Sequence, residues 1–216
     1  MIRPNKHTTK LFFFLCLLLL FRCDNPKKPT NTLEILASLS PPSLGLFGDS
    51  FLADWPAEEK LKPFRVIKNA FPGRKMNEIY HSASTDKLTY DVCITNGGIN
   101  DYLGRISATN EEIQTTIDLH IKTIYELTNR CRSMLVLNLW QVELPWPVEA
   151  VNQLNQQMKN QINFVKRLDT DRFITKAMLS DGGHLNEFGY RTLSRESMKE
   201  LRILVPVVNL LLPEQN

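Results

Sequence analysis

The sequence predicts an α/β sandwich in which helices cover a parallel sheet of five strands. Short runs of β-forming residues alternate with longer stretches whose apolar residues recur at helical spacing. That alternation gives strands joined by helical crossovers, which make neighbouring strands parallel. Three of the strand-like runs also end directly in polar or aromatic loops: Gly48-Asp49-Ser50, Asn96 to Asp101, and Trp140 to Trp146. In a parallel sheet such loops leave the carboxyl edge, where ligands of open α/β sheets bind.

The elements follow in order. Leu44 to Phe47 is the first strand, Phe64 to Ile67 the second, and Tyr90 to Thr95 the third. Met134 to Leu139 is the fourth, and Phe164 to Leu168 is a fifth with a weaker pattern. Thr109 with Glu112 reads as a capping box. After it Ile113, Ile117, Ile121, Ile124 and Leu127 form one apolar stripe. Pro147 suits a first helical position and opens a helix to about Ile162, with Val148, Val151, Leu154 and Met158 on one side. Asn186 caps a last helix that carries Tyr190, Leu193, Met198 and Leu201. There is no internal repeat.

The front of the chain has a different character. Met1 to Lys10 carries Arg3, Lys6 and Lys10 and no acid, and Leu11 to Phe21 is wholly apolar. A basic stretch before a short apolar run is the pattern of a secretory signal, and the run is short for a bilayer span, which takes about 20 residues. Cys23 follows Leu20-Phe21-Arg22 and resembles the lipidated cysteine of a bacterial lipobox, although Arg22 stands where a small residue is usual. The expected organisation is a signal at 1–22, a flexible tether at 23–42 and a catalytic-type domain at 43–216. The tether holds Pro26, Lys27, Lys28, Pro29 and Pro41-Pro42, a composition with little to bury. A short helix from Leu33 to Leu39 interrupts it. The expected location is the bacterial cell envelope, with a lipid on Cys23 holding the protein to a membrane.

The whole chain has 26 basic and 23 acidic residues; four of the basic ones (Arg3, Lys6, Lys10, Arg22) lie in the segment 1–22, leaving 22 against 23. That balance gives no basic face for nucleic acid. No metal-ligand spacing is present, no cofactor is expected, and a monomer is expected. Cys93 looks mid-strand and Cys131 looks like a helix end. They could pair in an oxidising compartment, but two buried free thiols are the favoured reading.

Four stations could carry chemistry. Ser50 follows the first strand and can begin a helix, with its hydroxyl near helix N–H groups that favour negative charge; an ordinary N-cap serine is the bland alternative. Gly73, in Pro72-Gly73-Arg74, could bring a bare backbone N–H to an oxyanion, or could be a simple turn. Asn100, in Gly97-Gly98-Ile99-Asn100-Asp101, could donate its amide to the same charge or satisfy local backbone. Asp181 and His184 share one glycine loop, where the carboxylate can orient the imidazole and the imidazole can take a serine proton. His7 lies in the signal, His81 in a polar helical stretch and His120 beside an apolar stripe, so none competes well.

Together these blocks resemble the SGNH hydrolase family, the GDSL-type esterases and lipases. The blocks are Gly48-Asp49-Ser50, Gly73, Gly98-Ile99-Asn100-Asp101 and Asp181-Gly182-Gly183-His184, extended by Leu185-Asn186 and Gly189-Tyr190. The resemblance spans about Ser43 to Leu204. It implies a flavodoxin-like three-layer α/β/α sandwich and an ester hydrolase, acting on a small-molecule, lipid or acylated-glycan ester. It implies Ser50 as nucleophile, His184 as base and Asp181 as its orienter. The Ser50 N–H, the Gly73 N–H and the Asn100 side chain would form the oxyanion hole, leaving Asp49 and Asp101 structural. A non-catalytic surface lipoprotein of this fold and an acyltransferase using the same site are the alternatives. Phe51, Leu52, Tyr102, Trp140, Glu143 and Trp146 are candidates to line the cleft, with packing or a place on its rim as the favoured alternative for each, and Ser82 to Leu88 is too short and polar to suggest a lid.

Overall fold

The computed structural model describes residues 40–212. The signal, Cys23, nearly all of the tether and the Leu33–Leu39 helix lie outside the described residues.

Five parallel strands form one sheet: β1 (Ser43–Gly48), β2 (Arg65–Ala70), β3 (Val92–Thr95), β4 (Met134–Leu137) and β5 (Lys166–Leu168), in the order β2-β1-β3-β4-β5. β1 lies between β2 and β3 and is buried throughout. Its side chains alternate between the two faces. Leu44 and Leu46 lie level with Val92 and Ile94 of β3, and Gly45 lies level with Cys93. The helices are α1 (Ser50–Ala53), α2 (Ala57–Lys60), α3 (Met76–Thr85), α4 (Asn110–Thr128), α5 (Val148–Gln161), α6 (Glu187–Leu204) and α7 (Val208–Leu211). Helix α3 packs on α4 and α4 on α5, while α2 packs on α6. Right-handed crossovers place the first set on one face and the second on the other, which completes the three-layer α/β/α sandwich. Leu44, Leu46, Val92 and Ile94 belong to the larger apolar core with Leu193 and Leu201 of α6. Phe47 and Cys93 form a smaller one with Met76, Ile79 and Ala83 of α3.

The element boundaries differ from the sequence reading in informative ways. β2 begins at Arg65 and runs on to Ala70, because its partner β1 continues to Gly48 and fixes the register Gly48 to Ala70. β3 starts only at Val92, while Tyr90 forms an isolated bridge with Cys131. β5 has three residues and lies at the sheet edge, half-exposed, which explains its weak apolar signature. Pro147 is the residue before α5 rather than its first member. Thr109 and Glu112 do form the expected capping box, and Asn186 caps α6 by accepting from the Gly189 N–H at 3.0 Å.

The reading of two free thiols is corrected. Cys93 and Cys131 form a disulfide, with Cα atoms 5.8 Å apart, within the range that the bond requires. α4 ends at Thr128, and the chain then turns back through Asn129 and Arg130. Tyr90 donates its N–H to the Arg130 carbonyl and accepts from the Arg132 N–H. This bridge sets Cys131 beside the start of β3 rather than on a helix end.

Candidate active site

The first station is built by the turn after β1. Asp49 is the N-cap of α1 and accepts from the Phe51 N–H at 3.0 Å; the N–H groups of Leu52 and Ala53 turn to its carbonyl. Because Asp49 takes the capping role, Ser50 does not serve as an N-cap. Its hydroxyl points instead to His184 Nε2 at 2.9 Å, although the residue is only 6% exposed. Asp49 is fully buried and its Oδ2 has no partner. Burial pushes its carboxyl up to about 7, against the opposing pull of the Phe51 N–H and of His184.

The second half lies on the loop between β5 and α6. Asp181 Oδ2 meets His184 Nδ1 at 2.7 Å, and Asp181 Oδ1 accepts the N–H groups of Gly183 at 2.9 Å and His184 at 2.7 Å. Burial raises the Asp181 carboxyl, but the His184 ring and these two N–H groups outweigh it and hold it below its ordinary value. An ionised carboxylate can only accept, so Nδ1 carries the ring proton and Nε2 presents a lone pair. The Ser50 hydroxyl donates to that lone pair. The serine, histidine and aspartate that the sequence singled out, 134 and three residues apart, therefore form one continuous hydrogen-bonded chain.

The loop after β4 holds the histidine loop through its backbone. Trp146 Nε1 donates to the Asp181 carbonyl at 3.1 Å, the Glu143 N–H to the Gly182 carbonyl at 2.7 Å, and Trp140 Nε1 to the Gly183 carbonyl at 2.7 Å. Gly182 has φ +85°, and a Cβ on Gly183 would run into the Trp146 indole ring. Both positions therefore require glycine. The His184 ring packs edge-on against Trp146 at 5.0 Å and against Phe51 at 5.7 Å, while Phe51 stacks on Trp140 at 4.2 Å.

This packing decides between the cleft and packing alternatives for several aromatic and apolar residues. Phe51, Leu52, Tyr102 and Trp140 are at most 1% exposed and belong to the core; the Tyr102 hydroxyl bonds Thr116 Oγ1 at 2.6 Å. Only Glu143 and Trp146 of that group reach the surface in part. The clamping role of Trp140 and Trp146 was not read from the sequence. The available signal was an aromatic loop leaving the same sheet edge as Ser50.

Asn100 lies in a short 3-10 turn after β3 and is 6% exposed. Its Nδ2 donates to the Arg74 carbonyl at 2.9 Å, which ties it to the exposed turn of Gly73. Asp101 Oδ2 accepts from the Met76 N–H at 2.9 Å and secures the start of α3. His120 is fully buried, and its Nε2 lies 3.1 Å from the Gly97 carbonyl. Burial lowers the His120 ring to about 4, so it stays neutral and serves the loop as a hydrogen-bond donor.

No family model and no curated protein sequence matches the chain. Solved structures do. A member of the lipolytic protein G-D-S-L family from Veillonella parvula superposes with a TM-score of 0.60 at 15% identity, covering 73% of this chain and 96% of that one. A GDSL-like lipase from Bacteroides thetaiotaomicron gives 0.61 at 15%, covering 80% and 96%. An acetylxylan esterase from Geobacillus stearothermophilus gives 0.59 at 14%, covering 75% and 94%. At these identities the likeness establishes architecture: the chain has the three-layer fold of the SGNH hydrolases, the G-D-S-L lipases and acylhydrolases.

Proposed function

We propose that the protein is a serine ester hydrolase that works through an acyl-enzyme. The observation that carries this reading is the unbroken chain from Ser50 Oγ to His184 Nε2 at 2.9 Å and from His184 Nδ1 to Asp181 Oδ2 at 2.7 Å. In this reading Ser50 attacks the ester carbonyl carbon as His184 takes the hydroxyl proton. Asp181 keeps the ring in the tautomer that leaves Nε2 free, and its charge stabilises the imidazolium. The tetrahedral oxyanion is held by the Ser50 and Gly73 N–H groups and the Asn100 amide. Collapse expels the alcohol, which receives the proton from His184. Water, deprotonated by His184, then attacks the acyl carbon and frees the acid and Ser50.

The reading extends to location. The basic and apolar front of the chain and Cys23 support export with a lipid anchor in a bacterial envelope, and the Cys93–Cys131 disulfide is what an oxidising compartment would form. Loss of membrane partitioning in Cys23→Ala tests the anchor.

Fluorophosphonate labelling tests the chemistry. The wild-type protein is expected to be labelled and to hydrolyse p-nitrophenyl acetate, with both lost in Ser50→Ala and the circular dichroism spectrum unchanged. Labelling that survives Ser50→Ala would refute the nucleophile.

A further inference from the structure

A groove of about 550 Å³ runs along the outer side of α6, where α2 packs on it. Six cations line it: Lys60 and Lys62 from the end of α2 and the turn after it, and Arg191, Arg195, Lys199 and Arg202 from α6. Among the described residues no acid lines it. Three acids stand beside it. Glu59 pairs with Lys60 at 2.9 Å, Glu187 with Arg191 at 2.9 Å, and Glu196 with both Arg195 at 2.8 Å and Lys199 at 2.7 Å. Lys62 and Arg202 pair with no carboxylate among the described residues. Six cations against three acids leave a local excess of three positive charges, although the chain after residue 22 is balanced at 22 basic and 23 acidic residues.

The arrangement selects an extended anionic partner. Arg191, Arg195, Lys199 and Arg202 recur every three or four residues, so they form one stripe about 16 Å long. Cations strung out in this way meet a charged surface rather than converge on one small anion. Large apolar side chains flank them. Ile203 continues the Arg195–Lys199 row by one turn and is 69% exposed. Leu210 of α7 is 59% exposed, and Asn209 Nδ2 ties that helix to the Arg202 carbonyl at 3.4 Å. Met198 and Leu212 complete the groove. Anionic headgroups complement the cations, and the layer beneath them takes exposed apolar side chains. A nucleic acid would offer phosphates to the cations but no apolar layer to Ile203 and Leu210.

The position of this face fits a docking surface. α6 starts beside the His184 loop and ends at the opposite edge of the sheet, where Ser133, just before β4, donates its hydroxyl to the Leu204 carbonyl at 3.3 Å. Arg202, Ile203 and α7 therefore lie at the amino edge, at the other end of the strands from Ser50. The chain also enters β1 at that edge. We propose that the α2–α6 face docks the protein on an anionic lipid bilayer, with the basic stripe on the headgroups and Ile203 and Leu210 at their base. Neither the hydrolase reading nor a lipid on Cys23 is needed for this, because the charge and the apolar flank belong to the folded domain itself.

The test uses the full chain with Cys23→Ala, so that no lipid on Cys23 contributes. It is mixed with vesicles of phosphatidylcholine, with and without about a third phosphatidylglycerol. Trace acetylation by a water-soluble reagent, read by mass spectrometry, reports which lysines the vesicles cover, whatever the front of the chain does. Lys62 and Lys199 are expected to be protected by the anionic vesicles alone, and the protection should fade between about 0.05 and 0.5 M salt. Lys75 and Lys87, exposed around α3 in the other helical layer, should stay reactive. Arg191 and Arg195 are exposed, so Arg191→Gln with Arg195→Gln spares the core. This double change should raise the anionic lipid needed for half-protection roughly twenty-fivefold, about fivefold per cation. Equal protection by neutral vesicles, protection of Lys75 and Lys87 instead, no protection, or protection that the double change leaves untouched overturns the proposal. Protection by duplex DNA and by no vesicle also overturns it, in favour of a nucleic-acid face.

Discussion

The indole N–H of Trp140 donates to the carbonyl oxygen of Gly183 at 2.7 Å, across 43 residues of sequence. The same ring stacks on Phe51 at 4.2 Å, with planes 15° apart. One buried side chain thus couples the helix that carries Ser50 to the loop that carries His184. Small displacements of catalytic groups are costly because the attack geometry is narrow. Trp140→Phe keeps most of the stacked surface and removes the donor. It leaves the Gly183 carbonyl unpaired, which costs about 1–3 kcal/mol. The expected result on p-nitrophenyl acetate is a fall in kcat of roughly tenfold or more with KM little changed, since the effect is on alignment. A loss confined to KM would argue for a substrate-binding tryptophan instead.

Asn100 donates to the Arg74 carbonyl at 2.9 Å through one Nδ2 hydrogen, and an amide has a second. In the proposed mechanism that second hydrogen serves the oxyanion. Asn100→Ala should lower kcat by about 10²–10³-fold, the usual worth of one such donor, and should lower Tm modestly through the lost Arg74 tie. Steady-state kinetics beside a thermal melt checks both. A lower Tm with kcat unchanged would leave Asn100 a structural residue only.

Asp49 sets a pH dependence of stability. Burial pushes its carboxyl from 3.8 up to about 7 in the folded protein. Between those values the folded state keeps a proton that the unfolded state has released. Stability therefore falls as pH rises through this window, by about 1.36 kcal/mol per unit of pKa difference, and levels off above it. Asp49→Asn keeps an oxygen for the Phe51 N–H and removes the titration. Urea melts from pH 4 to pH 8 should show a flatter stability curve for the variant than for the parent. Parallel curves would show that Asp49 is not the source.

The Cys93–Cys131 bond closes a separation of 38 residues. On chain entropy alone its removal should cost roughly 4 kcal/mol. Cys93→Ala with Cys131→Ala, or the parent in reductant, should show that loss in chemical denaturation. The serine site lies at the opposite end of the strands from Cys131, so fluorophosphonate labelling below the lowered Tm should persist. An unchanged midpoint on reduction would mean that the thiols are not paired.

Much of the site was legible because its residues are bound to local backbone chemistry. Ser50, Gly98 to Asp101 and Asp181 to His184 each sit at a turn that demands small or capping residues, and each turn follows or faces a strand end. The amphipathic stripe of α4 and the caps at Thr109 and Asn186 were legible for the same reason, since their partners are three or four residues away. What the sequence left open or misread were partners distant in sequence. Whether Phe51, Leu52, Tyr102 and Trp140 line the cleft or pack in the core stayed open in the sequence and is settled as core, because an apolar side chain carries no mark of which neighbour will cover it. Cys93 and Cys131 read as separate thiols, because only the return of the chain after α4 brings their Cα atoms to 5.8 Å.

The sequence by itself determined the alternation of five strands with helices and singled out Ser50, Asp181 and His184. Those depend on periodicity and on turns, which act over a few residues. The tertiary structure decided that Asp49 and not Ser50 caps α1, that Trp140 and Trp146 clamp the histidine loop, and that Asn100 reaches back to Arg74. These are contacts between elements brought together by the packing of the sheet and its helices, and no local pattern encodes them.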